Sequence, residues 1–232
     1  MPDTSALSRR ADATGRPPGP GSVPSRSRLW LEFVNTDAAA QSPGGDLLRD
    51  FDALVSWLNA QAALDEERSA GIRRRALLQP AAAAATLVDA RRVRAAMRVL
   101  AERGFTTERV RDDAVIEINR VLGRSAGTRR LDRHPDGGYA RSFVPTGDAF
   151  AGLMIPIVES AAESLATEEL GRVRRCADAR CYRVFVDATK NGLRRWCDMG
   201  TCGNRAKAAR HRAKERPLGV RAHRVERSAE HR

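Results

Sequence analysis

The sequence predicts an α+β protein with a mostly helical N-terminal domain that carries a small β-hairpin, then a four-cysteine zinc knuckle followed by a basic helix. Three observations predict this class. Apolar residues recur at helical spacing between residues 47 and 122, the four cysteines fall in two pairs near the C-terminus, and the excess positive charge lies around those cysteines. A chain of 232 residues is long enough for one ordinary core and a small second module.

The N-terminal tail and the first apolar run come before the helices. Residues 1–28 are rich in Pro, Gly, Ser and Arg and hold too few apolar residues to offset the entropy of ordering, so we expect a disordered tail. The apolar run from Leu29 to Thr36 fits either a short strand or a helical turn, because periodicity does not decide over so short a stretch. Residues 42–46 are then expected to form a turn.

Four helices are predicted between residues 47 and 122 from apolar spacing and capping residues. The first starts at Leu47 and has an apolar face of Leu47, Phe51, Leu54, Val55, Leu58 and Ala62. The others cover Asp65–Leu78, Ala81–Gly104 with Val93, Met97 and Leu100 as its stripe, and a segment from Thr106 or Thr107 to Leu122 with Val110, Ala114, Ile118, Val121 and Leu122 on one side.

The end of the helical domain changes character. Residues 130–133 and 139–144 flank the turn-forming run 134–138, which predicts a hairpin. Residues 147–170 return to a helical pattern, with Gly171 as its C-cap. The predicted divisions of the chain are a tail over 1–28, a helical α+β domain over 29–171, a zinc module over 172–216 and a basic tail over 217–232.

The four cysteines predict a zinc site. Cys176, Cys181, Cys197 and Cys202 form two pairs, each separated by four residues, with fifteen residues between the pairs. Thiolates in two short-spaced pairs suit one tetrahedral structural Zn²⁺; four free thiols or two disulfides are the alternatives. A module this small buries too little surface to fold alone, so zinc would supply much of its stability.

The zinc module has a predicted strand, turn and helix of its own. Residues 182–186 alternate as a strand, residues 190–192 form a turn, and Trp196 is expected to cover the metal. Residues 203–216 form an Ala- and Arg-rich helix. Lys207, Arg210 and Lys214 share one side, while Ala206, Ala209 and Ala213 form a small face that could pack on the knuckle.

The charge distribution points to a polyanionic partner. Residues 172–232 contain 18 basic and 6 acidic residues, a net of +12, which equals the net charge of the whole chain. Such asymmetry points to a polyanion, most simply nucleic acid, and an Arg-bearing helix would be able to enter the major groove of double-stranded DNA. The residues that we expect to contact it are Arg194, Arg195, Arg205, Lys207, Arg210, His211, Arg212 and Lys214.

Membrane and enzymatic functions are not predicted. The sequence has no run of about 18 apolar residues and no apolar segment after the N-terminal arginines, so we expect no membrane span and no secretory signal. Residues 29–171 carry no hydrolase triad order, glycine-rich phosphate loop or metalloprotease helix motif, and we expect no enzyme. We expect a cytoplasmic protein, in a reducing compartment that favours metal over disulfides.

Residues 176–216 resemble the CGNR zinc finger, named for a run that stands intact at Cys202-Gly203-Asn204-Arg205. Upstream, Phe33–Thr36 and Ile118–Leu122 are similar to the ABATE domain, which usually precedes this finger. The resemblance covers about residues 28–216. It implies a stress-induced bacterial transcription regulator, cytoplasmic and nucleoid-associated, with a helical α+β N-terminal domain and a C-terminal DNA-binding zinc module. The finger match also includes the cysteine pairs, Trp196-Cys197, Lys207 and Arg210-His211-Arg212.

The main functional hypothesis is a zinc-dependent DNA-binding regulator whose residues 29–171 sense a small-molecule ligand or form a homodimer. Trp30, Phe33, Asn35 and Thr36 could line a ligand pocket, although buried Asn and Thr also satisfy local backbone groups. An RNA-binding or ribosome-associated zinc module would explain the same charge pattern. A thiol redox switch is a further alternative, because Arg194, Arg195 and Arg205 would favour the thiolate form of the cysteines.

Overall fold

The structure is a computed structural model and describes residues 28–37, 45–124, 126–133, 139–146, 150 and 152–215. The predicted α+β class is confirmed, with a run of helices, an antiparallel hairpin, a further helix, a second small antiparallel sheet and a final helix. Most of the predicted N-terminal tail and all of the basic tail lie outside the described residues. The helices are α1 (Leu29–Val34), α2 (Phe51–Ala60), α3 (Glu66–Leu78), α4 (Pro80–Ala101), α5 (Glu108–Arg124), α6 (Ile155–Leu165) and α7 (Asn204–Glu215).

The apolar run near the N-terminus is helical, and the next helix starts later than its apolar pattern predicts. Residues Leu29–Val34 form α1, so of the two alternatives for this run the helical one is correct. Helix α2 begins at Phe51 because the carboxylate of Asp50 accepts a hydrogen bond from Ala53 N at 2.7 Å and caps it. Leu47 precedes the helix and is exposed, while its neighbour Leu48 is fully buried. The predicted apolar face of this helix was therefore wrong at its N-terminal end, where Leu48 and not Leu47 is buried.

Helices α3, α4 and α5 correspond to the predicted helices. Asp65 caps α3 through Arg68 N at 2.7 Å. Helix α4 ends at Ala101, before the predicted Gly104, because residues Arg103–Phe105 tighten into a 3-10 turn. The buried side of α5 is Ala114, Ile118 and Val121, whereas Val110, predicted on that side, is exposed.

The hairpin and the last helix of this domain follow. Strands β1 (Gly127–Arg133) and β2 (Tyr139–Pro145) pair antiparallel as predicted; their turn, residues 134–138, lies outside the described residues. Helix α6 covers less than the predicted 147–170. It has Pro156 in its first turn, where proline is favoured, and extended Thr167 follows its end. Gly171 lies inside a 3-10 turn (Glu168–Arg172) and does not cap α6, so that prediction was wrong.

A second sheet joins the cysteine-bearing segment to the main core. Strand β3 (Val173–Arg175) pairs antiparallel with β4 (Val184–Val186). Strand β4 lies within the predicted strand, while β3 was not predicted. The buried side chains of Val173, Val184 and Val186 belong to the same core cluster as the side chains of the helical domain. The scaffold of the cysteines is therefore part of one continuous core.

Candidate zinc site and nucleic-acid interface

The four cysteine sulfurs converge as the sequence predicts. All four Sγ atoms lie within 4.8 Å of one another. The Sγ atoms of Cys181 and Cys197 are 3.7 Å apart, and those of Cys197 and Cys202 are 3.8 Å apart. A tetrahedron with Zn–S bonds of about 2.3 Å has sulfur separations of about 3.8 Å, whereas a disulfide requires about 2.05 Å. The cysteines are free thiols in the geometry of a tetrahedral zinc site.

The electrostatics of the cluster also favour a bound cation. Burial and the neighbouring thiols raise the pKa of Cys202 to about 11 and raise the pKa of Cys197 further. Burial also opposes ionisation of Cys176, but hydrogen bonds from the backbone N–H groups of Cys197 and Asp178 outweigh it and lower the pKa of Cys176. Thiols this close do not all carry negative charge at neutral pH unless a divalent cation compensates it. The donor set therefore fits Zn²⁺.

Backbone hydrogen bonds shape the first cysteine pair. Cys176 N donates to Arg183 O at 2.9 Å, which extends the β3–β4 ladder up to the first ligand. Cys181 N donates to Asp178 O at 2.8 Å and closes the turn between the two cysteines. The sheet, which is anchored in the core, thus places Cys176, while a tight turn returns Cys181 to it.

The connection between the pairs is organised by a buried carboxylate. Asp187 accepts hydrogen bonds from Thr189 N at 2.9 Å and Arg194 N at 2.8 Å. The Thr189 hydroxyl also donates to this carboxylate. That bond, and to a lesser extent the two backbone bonds, lowers the pKa of Asp187. The predicted turn at residues 190–192 is present, and Gly192 has a φ of +63°, a conformation that favours glycine. Asp187 was not singled out from the sequence, although Asp two residues before Thr is a turn signal.

Two arginines of the connection differ in how free their side chains are to contact nucleic acid. The guanidinium of Arg194 donates to Trp196 O at 2.9 Å and to Cys197 O, and it stacks on Phe185 at 5.0 Å. Arg194, predicted to contact nucleic acid, is therefore engaged inside the loop. Arg195 is exposed and lies over Trp196 at 5.2 Å from the ring centroid. Trp196, which we expected to cover the metal, is only half-buried, and the core beside the knuckle comes from the valines of β3 and β4.

The second cysteine pair leads into α7. Asp198 accepts hydrogen bonds from Thr201 N at 2.7 Å and from its hydroxyl at 2.8 Å, and so caps a π-helical turn (Met199–Gly203). This turn carries buried Cys202 and continues directly into α7. Asp is one of the favoured N-cap residues, and sequence reasoning missed this role of Asp198. The positive end of the helix dipole thus lies beside the thiolates, which it favours.

Helix α7 leaves the knuckle with almost all of its described surface exposed. Ala206 is half-buried, but Ala209 and Ala213 are exposed, so the alanines do not form the packed face that their spacing allowed. The predicted contact residues Lys207, Arg210, His211 and Arg212 are exposed. Among the described residues, Lys207, Arg210 and Arg212 form no salt bridge. Lys214 lies on α7, but its side chain is outside the described part.

The predicted pocket residues lie in the core beside this module. Trp30 and Phe33 are fully buried. Asn35 Nδ2 donates to Val184 O at 2.9 Å, and Val184 N donates to Asn35 Oδ1 at 2.9 Å. Thr36 donates to Phe33 O at 2.7 Å and accepts from Arg94 at 2.9 Å. Asn35 therefore fastens α1 to strand β4. A ligand pocket at these residues stays a prediction.

Arg98 of α4 completes the joint between the helical domain and the zinc module. It donates to Tyr182 O at 2.9 Å and Val34 O at 3.0 Å and pairs with the carboxylate of Asp37. Its ion pair with Glu102 measures 2.9 Å. One side chain thus joins the end of α1, the end of α4 and the segment just before β4. Sequence reasoning missed it, because an arginine in a helix gives no local sign of such distant partners.

Comparison with protein families agrees with this architecture. Residues 27–168 match the ABATE family, which is described as a putative stress-induced transcription regulator. The chain belongs to the ABATE family. Residues 172–215 of this ABATE-family chain match the CGNR zinc finger, and that match contains all four clustered cysteines. The family match and the sulfur geometry together support a single structural zinc ion, held by Cys176, Cys181, Cys197 and Cys202.

Two further findings concern the ABATE-family chain as a whole. Comparison with curated proteins gives no match. None of the described helices is long and apolar enough to cross a membrane. The chain is therefore a zinc-binding member of a family that is described as a putative transcription regulator, and its cysteine cluster is built on a sheet that shares the core of the helical domain.

Proposed function

We propose that this protein is a zinc-dependent DNA-binding transcription regulator and not an enzyme. The observation that carries the proposal is the solvent-exposed basic helix α7, whose N-terminus is fixed by the zinc ligand Cys202. Lys207, Arg210 and Arg212 are exposed and make no salt bridge within the described part of the chain. A helix of this kind can enter a major groove while its arginines and lysines contact phosphates and base edges.

The helical domain supplies the regulatory part of the proposal, by sensing a ligand or by forming a dimer. Exposed apolar side chains on α3 and α5, such as Leu77, Leu78 and Ile116, are compatible with a second copy of the chain. The pocket residues of α1 are compatible with an effector only if the ligand replaces some of their present contacts. A change in the helical domain would reach α7 through Asn35, Arg98 and strand β4.

The proposal is tested by selecting genomic DNA fragments with the purified, zinc-loaded protein at physiological salt with competitor DNA. We expect a recurring site to be enriched, and two-fold symmetry in it would indicate a dimer. Uniform recovery, or none, would contradict a sequence-specific regulator and favour the RNA-binding alternative.

The contribution of α7 is measured by the salt dependence of DNA affinity. Changing Lys207, Arg210 and Lys214 together to Ala should weaken binding and lower the log–log salt slope by about 0.9 for each phosphate that the helix no longer neutralises. The matched control changes Arg74, Arg75 and Arg109 to Ala, which removes the same charge from exposed positions of the helical domain. Equal slopes for the α7 variant and the wild-type protein would show that this side of α7 does not bind phosphate.

A further inference from the structure

One basic residue of α7 points back to the zinc site. Arg205 Nη2 donates to the sulfur of Cys202 at 3.0 Å, and Arg205 Nε donates to the carboxylate of Asp178 at 2.7 Å. Lys207 and Arg210 lie on the opposite side of the helix by their spacing. The sequence grouped Arg205 with the nucleic-acid contacts, but its guanidinium is engaged by these two partners.

Asp178 is held in place to receive this arginine. It lies in the turn between Cys176 and Cys181, and its other carboxylate oxygen accepts a hydrogen bond from Arg180 N at 3.0 Å. Its side chain is only 9% exposed. The three side chains of Asp178, Arg205 and Cys202 thus connect the first cysteine pair to the second.

The charge of a four-thiolate zinc site explains why an arginine beside Cys202 would stabilise it. Four thiolates and one Zn²⁺ ion leave two net negative charges, which burial makes unfavourable. A guanidinium that donates an N–H group to one sulfur offsets part of that charge and fixes the direction of the ligand. Because Arg205 is the second residue of α7, the same contacts also fix the direction in which the helix leaves the knuckle.

We propose that Arg205 is a positioning residue of the zinc site, held by Asp178, and that it orients Cys202 and α7 instead of contacting nucleic acid. This proposal goes beyond the proposed function and rests on the zinc site alone. It divides the basic residues of α7 into two roles, with Arg205 acting on the metal ligands and Lys207 and Arg210 facing a partner.

The first test measures zinc affinity of the full-length protein by competition with a chelating dye. We expect Arg205→Ala to weaken zinc binding by roughly 10- to 100-fold, the range found when partners of metal ligands are removed. Asp178→Asn should weaken it in the same direction, and the double variant should bind zinc about as weakly as Arg205→Ala alone, because the two residues act through one connection. Lys207→Ala is the matched control and should retain wild-type zinc affinity.

A second readout separates positioning from general stability. In the cobalt-substituted protein, Arg205→Ala should shift the sulfur-to-metal charge-transfer band, and Arg205→Lys should restore it in part, because lysine keeps the charge but not the forked geometry. The DNA salt slope should fall for Lys207→Ala while its zinc affinity stays unchanged, whereas any fall for Arg205→Ala should accompany weaker zinc binding, because Arg205 acts on DNA only through the direction of α7.

Wild-type zinc affinity and an unshifted cobalt band in Arg205→Ala would overturn the proposal. A lowered salt slope with unchanged zinc affinity would instead assign Arg205 to phosphate binding. Absence of any DNA binding would leave the zinc and cobalt measurements intact, so failure of the proposed function is distinguishable from failure of this proposal.

Discussion

At the scale of single residues, Asn35 has the most consequential position outside the zinc ligands. Its amide acts like a short piece of neighbouring strand, donating to the C=O of Val184 and accepting from its N–H, both at 2.9 Å. The two residues are 149 positions apart in the chain. Both backbone groups of Val184 are in the core and would be left unpaired without the amide.

Replacing Asn35 by Ala should therefore destabilise the zinc-loaded protein by at least about 2 kcal/mol, since two buried backbone groups lose their partner and each costs on the order of 1–3 kcal/mol. Urea unfolding followed by circular dichroism measures this change. Asn119→Ala is the control, because Asn119 is exposed on α5 and surface substitutions usually stay within about 0.5 kcal/mol. Equal unfolding midpoints for Asn35→Ala and the control would show that the Asn35–Val184 contact does not hold the two parts together.

At the scale of elements, the zinc knuckle couples metal binding to pH. The pKa of Cys202 is raised to about 11 in the metal-free cluster, and that of Cys197 is raised as well. Below those pKa values the thiols are protonated, so zinc must displace their protons when it binds. Zinc affinity should consequently fall as the pH is lowered from about 8 to about 6, with protons released on binding.

Isothermal titration of the metal-free protein with zinc, repeated in buffers of different ionisation enthalpy, counts those released protons. A zinc affinity that does not change with pH, with no proton release, would show that the thiolates are already formed before the metal arrives. Asp178→Asn serves as a comparison, because it changes the surroundings of the site while leaving all four ligands in place.

The elements also show what local sequence could and could not predict. Cysteine spacing identified the four metal ligands, and apolar periodicity with Asp65 located α3 to within one residue, because these signals are local. Strand β3 was missed because three residues carry no period, and it forms only where β4 and the core receive it. The role of Asn35 was equally hidden, since its partner is distant in sequence. Exposure of Ala209 and Ala213 shows that a small-residue face does not by itself specify a packing partner.

At the scale of the whole molecule, the zinc module and the helical domain are built on shared packing. Val173, Val184 and Val186 lie in the same core cluster as Trp30 and Phe33. Arg183 also pairs with Glu32 at 3.4 Å across the joint, and Arg175 with Glu102 at 3.7 Å. The exposed Arg183–Glu32 pair contributes little on its own, and the atoms of the partly buried Arg175–Glu102 pair are 3.7 Å apart, so the valines, Asn35 and Arg98 provide most of the connection. Loss of zinc should therefore lower the stability of the helical domain as well.

This coupling predicts that chelation lowers the thermal stability of the helical domain as well as that of the knuckle. Zinc at about 100 times its dissociation constant stabilises the folded state by about 2.7 kcal/mol, which for a domain of this size corresponds to roughly 5–10 °C in Tm. The measurement is tryptophan fluorescence of the Trp196→Phe variant. The chain has three tryptophans, and the two that remain, Trp30 and Trp57, lie in the helical domain, where the ring centroids of Trp57 and Phe33 are 5.2 Å apart.

The fluorescence midpoint of this variant should fall when zinc is removed and return when zinc is restored. Asn35→Ala in the same background should reduce the shift, because it breaks the main polar link between Val184 and α1. A helical-domain midpoint that is the same with and without zinc would mean that the knuckle melts independently. In that case the shared valine packing transmits no stability, and a signal in the helical domain would need another route to α7.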